Sequence, residues 1–187
     1  MKRVLSLILL LFVVPVFTFG DEFRPIVIPP GSSLIESLRN DPAHFSKLIA
    51  LAERSGLKGL TARGERFTLF APTNEAFDKL PKGEYETLMK DQTKLRQFLR
   101  DHLMAGKVLM SKLFDPPAPI HEGEPATKEV KTIGGIIAVL RCNAHQDAVH
   151  HPLINNRARV LAPDFEGTNV VIHVVDAPIV DLQSVSK

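Results

Sequence analysis

The chain has 187 residues, with 23 Lys and Arg against 21 Asp and Glu, and a single cysteine. That length suits one domain whose core needs no covalent staples. One cysteine excludes an internal disulfide framework, the lack of an Asn-x-Ser/Thr sequon excludes N-glycosylation, and the lack of a basic stripe or nucleic-acid motif argues against DNA or RNA as a partner.

Lys2 and Arg3 open the chain, residues 4–14 are apolar except Ser6, Pro15 interrupts the run, and Thr18-Phe19-Gly20 precedes the acidic pair Asp21-Glu22. This is the layout of a secretory signal peptide over residues 1–20. The apolar run is too short to span a bilayer, which takes about 20 residues. The expectation is therefore a secreted, extracellular protein that does not span the membrane. Cleavage after Gly20 leaves 167 residues, with 21 cations against 21 carboxylates.

Residues 21–32 carry Pro25, Pro29, Pro30 and Gly31 and read as an extended leader. The domain is expected over 33–180 and a tail over 181–187. Residues 33–39 predict a short helix. Asn40-Asp41-Pro42 predicts a second helix start, with a capping side chain and then proline at the first helical position. Phe45, Leu48, Ile49 and Ala52 follow at helical spacing, and Gly56 is a natural stop. Residues 66–71 are a short β-rich run ended by Pro72, after which Thr73 can cap a helix through Lys79. Residues 84–90 and 92–104 predict two more helices, with Asp91 as a cap between them and Gly106 as the terminator.

Residues 114–125 and 143–152 read as loops. Residues 130–141 predict a strand pair or one strand bent at Gly134-Gly135, and 157–162 and 168–180 predict strands. The run Val170 to Val175 is apolar on both faces, as a central strand covered on two sides would be. Helices in the first half and strands in the second define an α+β domain.

Two stretches carry a resemblance. Thr68-Leu69-Phe70-Ala71-Pro72-Thr73-Asn74-Glu75-Ala76-Phe77 and Thr168-Asn169-Val170-Val171-Ile172-His173-Val174-Val175-Asp176 lie about a hundred residues apart. They resemble, in order, the two signature boxes of the fasciclin domain family. Between them, residues 99–106 look like that family's Tyr-His segment, with Asp101 standing where Tyr is usual. The resemblance covers roughly 33–180, nearly the whole of the chain after residue 20, and implies a wedge-shaped β-sandwich with helices packed over it. It also implies a non-enzymatic module for cell adhesion, binding extracellular matrix proteins or cell-surface receptors, integrins among them. In the family an Asp-Ile pair before the second box is tied to integrin recognition. Here Asp164 matches and Phe165 replaces Ile. Asp164, Phe165, His102 and Leu103 are thus the partner-binding candidates, with Asp164 otherwise read as a turn residue between strands.

The residues also support an architectural reading of both boxes. Phe70, Ala71 and Pro72 build and end a strand, Thr73 caps, and Ala76 and Phe77 enter the core. Asn169 turns the chain into the last strand, Ile172 and His173 lie in it, and Asp176 closes it. His173 and His102, on apolar faces, are expected to be core histidines with hydrogen-bond partners. No cofactor is expected, and no catalytic motif occurs. Two alternatives remain open: a carrier using an apolar cleft, and a metal site formed by Cys142, His145, His150 and His151. Cys142 itself reads as a buried small hydrophobe, or as the link of a disulfide-bonded dimer in place of a monomer.

Overall fold

In a computed structural model the described residues are 26, 28, 34–56, 65–114, 126–142 and 152–180. Residues 1–20, expected to be a signal peptide, the segments 115–125 and 143–151, expected to be loops, and the expected tail 181–187 lie outside them. Helices α1 (Leu34–Arg39) and α2 (Pro42–Ser55) come first, then β1 (Phe67–Pro72) and the helices α3 (Asn74–Asp78), α4 (Glu84–Lys90) and α5 (Gln92–Asp101). Next are β2 (Leu103–Ala105), α6 (Met110–Leu113), β3 (Ala126–Lys131), β4 (Ile137–Cys142), β5 (Leu153–Ile154), β6 (Ala158–Glu166) and β7 (Val170–Val175). The strands make one seven-stranded sheet in the order β2-β1-β7-β6-β5-β4-β3. All neighbours are antiparallel except β1 and β7, which run parallel from Phe67↔Val170 to Pro72↔Val175. The α+β reading therefore holds, with β7 inside the sheet between β1 and β6 and all six of its residues buried.

Local chemistry explains the boundaries. Pro72 ends β1, and the Thr73 hydroxyl accepts from the Ala76 amide at 3.2 Å, the expected N-cap of α3. Asp91 caps α5 by accepting from Thr93 and Lys94 at 2.9 and 3.0 Å. Gly56 takes the left-handed conformation after α2, at φ 71°. Asp41, by contrast, makes no cap bond. Its carboxylate meets His44 Nδ1 at 2.7 Å, so the side chain expected to cap α2 is turned to a hydrogen bond with that ring.

The helix predicted over 92–104 is shorter. It stops at Asp101, and Leu103–Ala105 form β2 against β1, with Leu69↔Leu103 in register. The helical spacing of Leu95, Phe98, Leu99 and His102 gave no sign of the change, because Leu103 and Met104 are apolar in either conformation. The true terminator is His102, whose ring occupies the carbonyl of Phe98. Gly106, at φ 85°, instead turns the chain out of β2.

The core joins the sheet to the helices through Phe45, Leu48 and Leu51 of α2, Phe70 of β1, Leu95 and Phe98 of α5, and Ile172 and Val174 of β7. Each such side chain contributes about 1.5–3 kcal/mol over leaving it in water. Ile26 is buried and Ile28 packs on this core, so part of the leader segment joins the domain. The β3–β4 turn is seated on the end of α5. Ile133 donates to Leu103 at 2.7 Å, Gly134 donates to Arg100 at 2.9 Å, and Gln97 donates to the Gly134 carbonyl at 3.0 Å. Two register shifts interrupt β6 opposite β7, between Val160 and Ala162 and between Ala162 and Phe165. Such bulges bend a strand and redirect its side chains.

Candidate functional site

His173 stands in β7 opposite Phe70, with ring centroids 5.6 Å apart, and has no solvent exposure. Both ring nitrogens are engaged. The amide of Asp164 donates to Nδ1 at 3.1 Å, so Nδ1 is the acceptor. Nε2 therefore carries the proton and donates to the Val108 carbonyl at 2.9 Å. Burial lowers the pKa of this ring, opposed by the Val108 bond and the Asp164 carboxylate, whose Oδ1 lies 3.6 Å from Nδ1.

Asp164 is the second member. It was read as a turn between strands, but it lies inside β6, at the bulge, with φ 61°. The left-handed backbone aims its carboxylate at the start of α6. Oδ1 accepts from Met110 N at 2.7 Å and Oδ2 from Ser111 N at 3.0 Å. Leu109 heads α6 without a cap of its own. Asp164 supplies that cap from another strand, so β7, β6 and the 108–111 segment are tied through one histidine and one aspartate.

Replacing Asp164 by alanine removes both acceptors and leaves a residue poorly suited to positive φ. The expected loss is about 1–2 kcal/mol in urea unfolding, whereas Asp164→Asn, which tolerates that conformation and keeps one acceptor, should retain most of the stability. Equal losses in the two variants would remove Asp164 from this role.

Beside the segment that His173 and Asp164 tie down opens a cleft of about 470 Å³. Arg66, Lys107 and Lys112 bring three cations to it, and Glu166 one carboxylate. Val108, Leu109 and Leu113 form its apolar wall, and Thr168 adds a hydroxyl. Among the described residues the lining holds no serine, cysteine or histidine. Its charged rim is also unlike the apolar chamber a lipid carrier would need.

The other candidates separate from this site. His102 is fully buried, and burial pulls its pKa down to about 4 against the Phe98 bond. Nδ1–H donates to the Phe98 carbonyl at 2.8 Å, and Nε2 accepts from the Ile179 amide at 3.1 Å. Leu103 is 4% exposed. Both side chains are turned into the core in this fold, where Leu103 lies beside Leu69 of β1 in the sheet. Phe165 is half-buried and packs on the core. Asp164 and Phe165 are partly exposed, and both oxygens of Asp164 serve α6.

Among the signature residues, Thr68 accepts from Val108 N and donates to the Gly106 carbonyl, each at 2.8 Å. Asn169 accepts from Phe67 N at 2.9 Å. Asp176 accepts from Arg159 N at 2.7 Å and pairs with Lys79 at 3.3 Å. Cys142 is buried, and burial pushes its thiol up to about 11, so a disulfide between two copies would require the end of β4 to open. His145, His150 and His151 lie outside the described residues, among which no group of three or more His, Cys, Asp or Glu could hold a metal. No helix of the described residues is long and apolar enough to cross a membrane.

Sequence reasoning missed α6 and the cleft. The cations come from three segments, before β1, after β2 and within α6, and no local pattern links them.

This sheet, with its helices and its two signature boxes on neighbouring central strands, is that of one family. The family model of the fasciclin domain matches residues 43–181, and the chain belongs to the fasciclin domain family. It is 34% identical to human (Homo sapiens) periostin over 154 residues, which are 82% of this chain and 16% of periostin. It is 33% identical over 138 residues to protein sll1483 of Synechocystis, covering 72% of this chain and 66% of that protein. The chain thus spans less than two thirds of either relative. Among solved structures it is similar to a FAS1 domain pair from the insect cell adhesion molecule fasciclin I, with a TM-score of 0.64 at 20% identity, covering 83% of this chain and 53% of that one.

Proposed function

We propose that this chain is an exported, non-enzymatic adhesion module that binds extracellular matrix proteins or cell-surface receptors. Its membership of the fasciclin domain family carries the reading, and the description of fasciclin I as a cell adhesion molecule supports it. The signal-peptide pattern of residues 1–20 supports export. The described histidines with lowered pKa are structural: each is buried, neutral and held by two backbone partners, which suits a rigid binding scaffold more than an acid–base site.

The contact we favour is the surface that Asp164 organises. Its carboxylate fixes α6, and the exposed Ser111 and Lys112 of that helix stand beside the exposed Glu166 at the end of β6. Asp164 then acts as a positioning residue, with Phe165 bracing β6 from within.

The test is adhesion of integrin-bearing cells, and binding of soluble collagen, to the immobilised protein. Saturable binding is expected, weakened at least fivefold in Asp164→Ala and largely retained in Asp164→Asn. Loss of cell adhesion on chelation of divalent cations would mark an integrin route, because integrins hold the cation that a partner's carboxylate would meet. Absence of binding to cells and collagen alike would overturn the adhesion reading.

A further inference from the structure

The three cations of the cleft differ in how their charge is used. Lys107 is held in place: Nζ donates to the Gly167 carbonyl at 2.7 Å and pairs with Glu166 at 2.6 Å. Among the described residues, neither the Arg66 guanidinium nor the Lys112 ammonium has a hydrogen-bond or ion-pair partner, and both residues are exposed. A chain with a formal net charge of only +2 therefore gathers three cations and one carboxylate around a single opening. Like charges brought together repel, and an anion seated between them reverses the sign of that energy. The guanidinium adds a planar fork that matches sulfate or carboxylate through two hydrogen bonds.

The surrounding backbone narrows the class of ligand. An acidic peptide would gain most by adding a strand to an open sheet edge. The edge on this side is β2, only three residues long. β1 lies between β2 and β7, and β7 between β1 and β6. On the outer side of β2 the Leu103 carbonyl already accepts from Ile133. Recognition in the cleft falls to side chains: separate cations, the Thr168 hydroxyl, and the apolar wall of Leu109 and Leu113. A sugar ring presents the complementary set, with an apolar C–H face, hydroxyls, and acidic substituents at its edge.

We propose that this cleft binds a segment of an acidic polysaccharide, with Arg66 and Lys112 each meeting an anionic group and the ring lying on Leu109 and Leu113. The inference goes beyond the adhesion reading and stands if the protein binds no matrix protein at all.

The experiment titrates the full-length protein into a fluorescent heparin tetrasaccharide, which is sulfated, and a hyaluronan tetrasaccharide, which carries carboxylates only, at about 50 and about 300 mM salt. At least one is expected to bind, more weakly at the higher salt. Arg66→Gln combined with Lys112→Gln should weaken binding at least tenfold, and the single, exposed Lys112→Gln severalfold. Lys128→Gln with Lys131→Gln, which removes equal charge from β3 at the far edge of the sheet, should change it less than twofold. Circular dichroism of each variant confirms the fold. The proposal is overturned if neither tetrasaccharide binds, if the β3 pair weakens binding as much as the cleft pair, or if a glutamate hexapeptide of equal charge binds as tightly.

Discussion

Between pH 6.5 and about 4 the native state is expected to lose on the order of 3 kcal/mol through His102 alone. In the unfolded chain the ring takes a proton near its ordinary 6.5, whereas burial holds off protonation in the fold until about 4. The unfolded state therefore binds more protons across that window, and acid favours unfolding. The contribution is complete above pH 6.5 and falls away toward pH 4. Protonation would also break a specific contact, because Nε2 must stay bare to accept from Ile179. His173 works in the same direction, its Nδ1 accepting from Asp164, though the nearby Asp164 carboxylate moderates its shift. Asp101 works the other way. Burial raises its pKa against the Gln97 bond and the Arg100 charge, so the fold holds its proton more tightly than the unfolded chain does, and that contribution is lost as pH rises.

Urea unfolding at several pH values checks this. The unsubstituted protein should lose stability steadily below pH 6.5. His102→Leu should be less stable at pH 7.5 by about 2–5 kcal/mol, since it strands the Phe98 carbonyl and the Ile179 amide, and its pH dependence should be visibly shallower. An unsubstituted protein whose stability stays flat from pH 7 to 4.5 would contradict the assignment.

Gly134→Ala is expected to destabilise the protein by about 3 kcal/mol or to prevent folding. Gly134 is not a residue that needs an unusual φ; its constraint is space. A Cβ there would lie 1.8 Å from Asp101 Oδ1 and 2.8 Å from the Asp101 backbone nitrogen. The first clash could be relieved by rotating a side chain. The second cannot, because that nitrogen belongs to the last residue of α5. Shifting the turn instead would stretch the bonds from Gly134 to Arg100 and from Gln97 to Gly134. Thermal melts of Gly134→Ala in the parent and in an Asp101→Ala background separate the two parts. The second substitution should recover only a fraction of the loss. Full recovery would mean that the side-chain clash alone was at work, and alanine tolerated at 134 would refute the close approach. Gly135, with φ 99° and open space around it, should respond through backbone strain instead.

Much of this architecture was legible in the sequence because its signals are local. The Phe45–Ala52 spacing, the Thr73 and Asp91 caps, the Gly56 stop and the doubly apolar Val170–Val175 run each depend on neighbours within one or two turns. The misreadings share the opposite property. Asp41 had an alternative partner one turn away in His44. Residues 103–105 became a strand because β1 offered an edge, which helical periodicity cannot register. α6, with four residues, has too little pattern to detect, and its cap comes from Asp164, about fifty positions further along. The site followed the same rule. His173 and His102 were readable as satisfied core residues from the apolar faces they occupy. That Asp164 would face inward, and that Arg66, Lys107 and Lys112 would share one cleft, depends on the bulge in β6 and on which strands adjoin.

The parallel pairing of β1 with β7 has a consequence for biosynthesis. Every partner of Phe67–Pro72 in β7 lies about a hundred residues downstream, so a ribosome must have made nearly the whole domain before this seam of the sheet can close. Until then β1 has only β2 beside it, and Phe70 and Leu69 are left without the strand that covers them. Closing so large a loop is slow, and the waiting chain exposes sticky surface. Maturation of a nascent polypeptide held open in this way should depend on holdase chaperones until Val175 has emerged.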